Sequence, residues 1–167
     1  MKVLIISGSM GAGKTAVMGE ASDVLLSRHI NHAAIDLDIV ATPLLPEPLS
    51  HDVYLKNVMA LFNNCRSAGI DRYLVAVAIE HRRQLEELRA ATRATEVMVC
   101  RLTAAHETMA ARLRARDPGV RTEEFVERSR MLDAILTAAG VEDFLIENDA
   151  RNVTAVATEL LQRAGWI

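Results

Sequence analysis

Gly8-Ser9-Met10-Gly11-Ala12-Gly13-Lys14-Thr15 lies between an apolar run, Lys2–Ser7 (KVLIIS), and a stretch, Thr15–His29, whose Val17, Ala21, Val24 and Leu25 recur at helical spacing. The octapeptide meets the pattern G-x-x-x-x-G-K-[ST] at every specified position, in the strand–loop–helix context that the pattern requires. Glycines at 8, 11 and 13 let the backbone turn tightly and bring amide N–H groups close to an anion. The helix that follows adds the positive end of its dipole. Lys14 supplies a point charge for β- and γ-phosphates. Thr15 supplies a hydroxyl for Mg²⁺. Gly8, Ser9, Met10, Gly11, Ala12, Gly13, Lys14 and Thr15 are therefore expected to hold the phosphates of a nucleoside triphosphate, with Lys14 also catalytic and Thr15 also a metal contact.

The rest of the chain repeats the strand–helix alternation. His32–Val40 reads as a second strand, Arg72–Ile79 as a third, Glu96–Leu102 as a fourth and Phe144–Glu147 as a fifth. Helical patterns fill Asp52–Ala68 (Val58, Leu61, Phe62 and Cys65 on one face), Glu80–Arg93, Thr103–Arg116, Thr122–Ala139 and Val153–Ala164. Thr103 is the expected N-cap of the fourth helix. Pro43, Pro46 and Pro48 make residues 41–50 a loop. Asp117-Pro118-Gly119 breaks the helical run after Arg116. Short apolar strands alternating with amphipathic helices predict an α/β fold, a parallel sheet covered on both faces, in one domain spanning residues 1–167.

Asp36 and Asp38 end the second strand. Read as strand residues, they point to one face, at the carboxyl end where open α/β sheets bind ligands. Asp38 is the expected base for an attacking hydroxyl, and Asp36 the metal-side or second substrate contact. The bland alternative is a solvated strand end. Two acids on a buried strand, however, are costly without partners.

Arginine clusters at Arg112, Arg114, Arg116, Arg121, Arg128 and Arg130. Carried on a helix–loop–helix lid over about 112–131, such groups stabilise charge on a transferring phosphoryl group and exclude water. Arg112 and Arg116, four apart on one face, are the first candidates, and Arg128 the next. The alternative is a solvated face in which Glu123, Glu124 and Glu127 pair with the arginines.

The third strand runs into Glu80-His81-Arg82-Arg83. The Asp that would usually end such a strand beside a phosphate loop is missing. Glu80 and Arg82 become candidates for acceptor binding. A plain helix N-terminus, where the dipole favours Glu80, explains that acid equally well. Residues 41–68 are the expected acceptor region. Their Leu44, Leu45, Leu49, Tyr54 and Asn57 hint at a neutral or partly apolar acceptor, with Tyr54 a contact. Asn148 and Asp149, after the fifth strand, either border the nucleotide (Asn148) or cap the last helix. His51, His81 and His106 have no metal-ligand spacing and read as surface or loop residues.

Composition narrows the function classes. Of 167 residues 50% are hydrophobic and 25% charged, an ordinary globular mix. Net charge is −3 and aromatics are 4%, with one Trp at 166, so neither a basic footprint nor a stacking platform supports a nucleic-acid partner. No stretch approaches the length of a membrane span, and the opening apolar run is too short for a signal peptide. Cys65 and Cys100 form no C-x-x-C pair and read as free thiols in a reducing compartment. The expectation is a cytoplasmic protein, monomer or homodimer, with no membrane partner.

The whole layout resembles the small P-loop kinases: shikimate, gluconate and adenylylsulfate kinases, and chloramphenicol phosphotransferase. The resemblance rests on Gly8–Thr15, Asp36-x-Asp38, the Arg112–Arg130 segment, and the strand with Asn148-Asp149 before the last helix. It implies a three-layer P-loop NTPase fold with a five-stranded parallel sheet in the order 2-3-1-4-5. It also implies ATP with Mg²⁺ and phosphorylation of a small molecule's hydroxyl, the acid after strand two serving as base or substrate ligand. Where shikimate kinases carry a glycine-rich run after strand three, this chain reads AIEHRR, and the gluconate-kinase lid pattern is missing, so no acceptor carries over. The loop reads G-A-G-K-T and no N-K-x-D motif is present, which favours ATP over GTP. The expected function is an ATP- and Mg-dependent kinase for a sugar, nucleoside, polyol or antibiotic. The alternatives are a nucleotide-binding switch protein with slow or no hydrolysis, and a polynucleotide 5′-hydroxyl kinase.

Overall fold

A computed structural model describes residues 1–40, 46–116 and 118–167. Pro43, Leu44 and Leu45 of the expected acceptor region, and Asp117 of the expected helix break, lie outside the described residues. The elements in order are β1 (Lys2–Gly8), α1 (Lys14–Ser27), β2 (Ala33–Asp36), α2 (Leu49–Ser67), β3 (Arg72–Ala76), α3 (Arg82–Thr92), β4 (Glu96–Thr103), α4 (His106–Arg116), α5 (Thr122–Ala139), β5 (Phe144–Glu147) and α6 (Val153–Arg163).

The five strands form one sheet in the order β2-β3-β1-β4-β5, and every neighbouring pair is parallel. Alternation along β1 divides the core into two halves. Leu4 and Ile6 face a cluster with Val17, Ala21 and Leu25 of α1 and Val156 and Leu160 of α6. Val3 and Ile5 face Val58 and Phe62 of α2 and Leu85 and Leu88 of α3. The result is three layers with helices on both faces. Burial of these aliphatic side chains, each contributing about 1.5–3 kcal/mol, compensates for the scarcity of aromatics. A stacked aromatic pair, Phe62 on Tyr73 at 4.7 Å between ring centroids, seats α2 on β3. On the far side Arg101 of β4 is buried but not unpaired: Nε donates to Glu142 at 3.1 Å and Nη1 to Thr137 at 3.0 Å, which fastens the end of α5 to the sheet.

Several element ends differ from the sequence reading. β2 stops at Asp36, not Val40, and Asp38 lies in the turn beyond it. β3 stops at Ala76, not Ile79, and α3 starts at Arg82, with His81 rather than Glu80 at its N-terminus: the His81 imidazole accepts the Gln84 amide. Thr103 is the last residue of β4, not a helix cap, because its carbonyl accepts the Asn148 amide in the extension of the β4–β5 ladder. The cap of α6 is Asn152, whose side chain accepts the Thr154 amide, not Asn148 or Asp149. No helix among the described residues is long and apolar enough to cross a membrane. Both cysteines are free, Cys100 buried and Cys65 partly so.

Candidate active site

β1 ends in the loop at the carboxyl edge of the sheet, and α1 begins at Lys14. Gly11 has φ +82° and Gly13 has φ +101°, backbone that only glycine adopts without strain. A Cβ on Gly11 would lie 2.7 Å from the Met109 carbonyl oxygen, and one on Gly13 would collide with the Asn148 amide. The loop is thus wrapped so closely by α4 and by the segment after β5 that side chains cannot replace these hydrogens.

Three groups hold the loop from outside. Ser9 and Ser129 bond reciprocally: Ser9 Oγ donates to the Ser129 carbonyl at 2.6 Å, and Ser129 Oγ donates to the Met10 carbonyl at 2.6 Å. Asn148, 6% exposed, donates its Nδ2 to the Ala12 carbonyl at 2.8 Å. Arg112 donates Nη1 to the Gly11 carbonyl at 3.1 Å and Nη2 to the Asn148 carbonyl at 2.7 Å. The Met10, Gly11 and Ala12 carbonyls are therefore taken up by these donors. With those carbonyls engaged, neighbouring loop amides are the groups suited to an anion.

The inner side is charged. Lys14, 8% exposed, donates Nζ to the Gly8 carbonyl at 3.1 Å and pairs with Asp38 Oδ2 at 3.1 Å. A buried ammonium is costly unless hydrogen-bonded and paired, and both conditions are met. Thr15 Oγ1 donates to Asp36 Oδ2 at 2.6 Å. Asp36 Oδ1 accepts the Asp38 amide at 3.1 Å, and Asp38 Oδ1 accepts the Ala78 amide at 3.3 Å. The two carboxylates converge on the loop through this turn, not through strand alternation, since β2 has already ended.

Ser9, Met10, Gly11, Gly13, Lys14, Thr15, Asp36, Asp38, Arg112 and Arg116 border one depression of about 580 Å³. That volume falls within the range of small-molecule and cofactor sites, roughly 300–1,000 Å³. Arg128 is exposed on α5, outside this depression. Three lid arginines pair with glutamates: Arg114 with Glu123, Arg121 with Glu124 and Arg130 with Glu127. Those pairs match the solvated-face alternative, whereas Arg112 and Arg116 face the loop.

A second cavity, about 230 Å³, opens between α2, the residues after β3, and α3. Tyr54 and Glu80 line it; Arg82 is exposed and does not. Its walls are apolar at Leu55, Val77, Ile79 and Leu88 and polar at His51, His81, Gln84 and Glu87. Asp38 adjoins it through the Ala78 amide, between Val77 and Ile79. Burial pushes the Tyr54 hydroxyl up to about 12, with the Asp38 charge adding to the effect, so the phenol stays protonated.

The sequence reading missed Ser129, His51 and Gln84. Gln84 binds both ends of the segment after β3, accepting the Glu80 amide at 2.8 Å and donating to the Ala78 carbonyl at 3.0 Å. The oxygen pair of Thr15 and Asp36 suits Mg²⁺, a hard cation that takes one or two protein oxygens and completes its shell with phosphate and water. No group of three or more His, Cys, Asp or Glu residues is placed to hold a metal ion among the described residues.

Solved structures with this architecture span nearly the whole chain. A sugar kinase from Janibacter sp. HTCC2649 superposes with a TM-score of 0.70 at 15% identity, covering 99% of this chain and 95% of that one. The APS kinase of Mycobacterium tuberculosis, in complex with AMPPNP and APS, gives 0.64 at 15% identity over 98% and 97%. The chain has the fold of the small P-loop kinases. Shikimate kinase from Acinetobacter baumannii, in complex with shikimate, extends the P-loop kinase set at 0.61 and 18% identity over 98% and 92%. No family model and no curated protein sequence matches the chain.

Proposed function

We propose that this P-loop kinase fold is an ATP- and Mg²⁺-dependent kinase that phosphorylates a hydroxyl of a small molecule such as a sugar, nucleoside, polyol or antibiotic. The supporting observation is the meeting of Lys14, Thr15, Asp36 and Asp38 at one edge of the loop, directly beside a separate cavity. A nucleotide-only protein needs the loop; it does not need an acid placed between the loop and a second chamber.

In this reading the loop amides and Lys14 hold the β- and γ-phosphates, and the Lys14–Asp38 pair opens as Lys14 turns to the phosphate. Thr15 and Asp36 would be the residues that hold Mg²⁺. When bound, the cation draws charge from the β- and γ-oxygens. Asp38 takes the proton of the acceptor hydroxyl. The acceptor oxygen then forms its bond to γ-phosphorus as the bond from γ-phosphorus to the ADP oxygen breaks. Arg112 and Arg116, which border the depression, stabilise charge on the transferring group. Asn148 fixes the loop and borders the nucleotide. Tyr54 and Glu80 contact the acceptor in the second cavity. The neighbour that holds AMPPNP supports the choice of an adenine nucleotide.

A metabolite screen with γ-labelled ATP and Mg²⁺ tests the reading. Stoichiometric transfer of label to an alcohol is the expected result. A second reading, a nucleotide-binding switch, draws on the missing acid at the end of β3, where Ala76, Val77 and Ala78 stand. Tight ADP binding with no transfer to any acceptor would favour it.

A further inference from the structure

Lys14 meets Asp38 Oδ2 at 3.1 Å, and the Ala78 amide donates to Asp38 Oδ1 at 3.3 Å. In the kinase reading Lys14 leaves for the γ-phosphate, and the Ala78 amide then has to hold the carboxylate in line. That bond is at the long end of the hydrogen-bond range, so a small displacement of Ala78 breaks it.

Ala78 stands where the sheet no longer fixes the chain. β3 ends at Ala76, and beside its end the Leu37 amide donates to the Ala76 carbonyl at 2.9 Å and the Val77 amide to the Ile6 carbonyl at 3.2 Å. Beyond them side chains take over from the ladder. Ser7 of β1, 2% exposed, accepts the Ile79 amide at 3.2 Å. Gln84, half-buried in the first turn of α3, spans the rest: Nε2 donates to the Ala78 carbonyl at 3.0 Å, and Oε1 accepts the Glu80 amide at 2.8 Å. A main-chain acceptor on one side and a main-chain donor on the other fix which way the side-chain amide faces. A glutamine at this place in a helix ordinarily reaches back to the amide of the capping residue, here His81. Gln84 reaches past it, to the segment that carries the Ala78 amide.

Resting on the kinase reading, we propose that Gln84 is a positioning residue for the phosphoryl transfer. By clamping residues 78–80 it sets the Ala78 amide against Asp38, and so keeps the carboxylate aimed at the acceptor hydroxyl once Lys14 has turned to the phosphate. A backbone amide held from α3 thereby acts at the end of β3, where Ala76, Val77 and Ala78 offer no acidic side chain.

The test uses the full chain, γ-labelled ATP with Mg²⁺, and the alcohol that takes the label in the screen above. Gln84→Met keeps the length of the side chain and removes both hydrogen bonds. Gln84→Glu keeps an acceptor for the Glu80 amide and loses the donor to Ala78, and it carries the test where Gln84→Met does not fold. Denaturant melts and ADP–Mg²⁺ calorimetry first establish folding and nucleotide binding. In both variants kcat is expected to fall about tenfold or more, within the roughly 10²-fold that a misplaced group can cost, with KM for ATP and for the alcohol unchanged. Groups that act as a unit are not additive, so Gln84→Met should cost nothing further in an Asp38→Asn background. Hydrogen exchange at the Ala78 amide, with ADP–Mg²⁺ bound, should quicken in Gln84→Met. Native kcat in both variants, an equal loss with and without Asp38, or an unchanged exchange rate overturns the inference. So does a raised KM for the alcohol at native kcat, which would make Gln84 a plain acceptor contact. Failure of both variants to fold or to bind ADP–Mg²⁺ makes Gln84 a folding residue and overturns it as well. All of these outcomes leave the kinase reading standing. If no alcohol takes the label, the kinase reading falls, and this inference with it.

Discussion

The Lys14 ammonium lies 3.1 Å from the Asp38 carboxylate, and through it the phosphate loop is tied to the turn after β2. The residue proposed to hold the γ-phosphate is thus partnered with the residue proposed to take the acceptor's proton. In the proposed reaction, nucleotide binding would replace that pair with a Lys14–phosphate pair and leave Asp38 for the acceptor. Asp38→Asn should therefore leave ATP affinity intact or slightly tighter, while turnover falls by roughly 10²–10⁴, the range for loss of a general base. Calorimetry with ADP–Mg²⁺ and a transfer assay measure the two separately. Unchanged turnover would remove Asp38 from the chemistry.

Thr15 and Asp36 share a 2.6 Å hydrogen bond. If they orient Mg²⁺ and its water, Asp36→Ala should raise the Mg²⁺ concentration for half-maximal nucleotide binding by about 10-fold or more, as loss of an outer-sphere partner does. A magnesium titration at fixed ADP checks this. A curve superimposable on that of the native chain would count against Asp36.

Ser129 joins α5 to the loop tip through the Met10 carbonyl. Ser129→Ala should cost about 1 kcal/mol of stability, the usual net worth of one buried hydrogen bond. It should also weaken ADP–Mg²⁺ binding several-fold, because the loop loses a fixed point. Denaturant melts with and without nucleotide report both effects. A purely structural role would shift the melt alone.

How much of this was legible in the sequence differs residue by residue. The loop was, since its glycines, Lys14 and Thr15 act through local backbone geometry. So were α5 and β5, whose apolar spacing and the stop at Gly140, with φ +52°, are local features. The end of β2 was not. It is an edge strand paired only with β3, and Asp36 folds back onto the Asp38 amide, ending the strand where apolar alternation continues to Val40. The cap of α6 was ambiguous because Asn148, Asp149 and Asn152 are all competent caps. Distant partners decide: Ala12 takes Asn148 and the Ala105 amide takes Asp149, leaving Asn152 for the helix. Ser129 carries no local signal at all, since Ser9 and Met10 lie more than a hundred residues away in the chain.

The thiols offer an independent check on the fold. Burial pushes Cys100 up to about 12, and it is fully enclosed, whereas Cys65 is partly exposed. An aromatic disulfide reagent at pH 8 should modify Cys65 alone in the native protein and both cysteines after denaturation, because only an accessible thiolate reacts. Fast native reaction of Cys100, read by peptide mass, would contradict the packing of β4 against α6.

Gly11→Ala tests the closeness of α4 to the loop. The added methyl meets the Met109 carbonyl at 2.7 Å in a backbone with φ +82°, so the strain should be about 1–3 kcal/mol, and nucleotide binding should fall sharply. A variant with native melting temperature and native ADP affinity would mean that α4 does not sit on the loop.

Everything proposed for this chain requires that the loop at residues 8–15 wrap a polyphosphate. Titration calorimetry of the chain with ADP and Mg²⁺, alongside Lys14→Ala, measures this. One binding event is expected for the native chain, strengthened by Mg²⁺, with its loss or severe weakening in the variant. No heat and no thermal stabilisation of the native chain with either adenine or guanine nucleotides, or equal affinity in the Lys14→Ala chain, would contradict it.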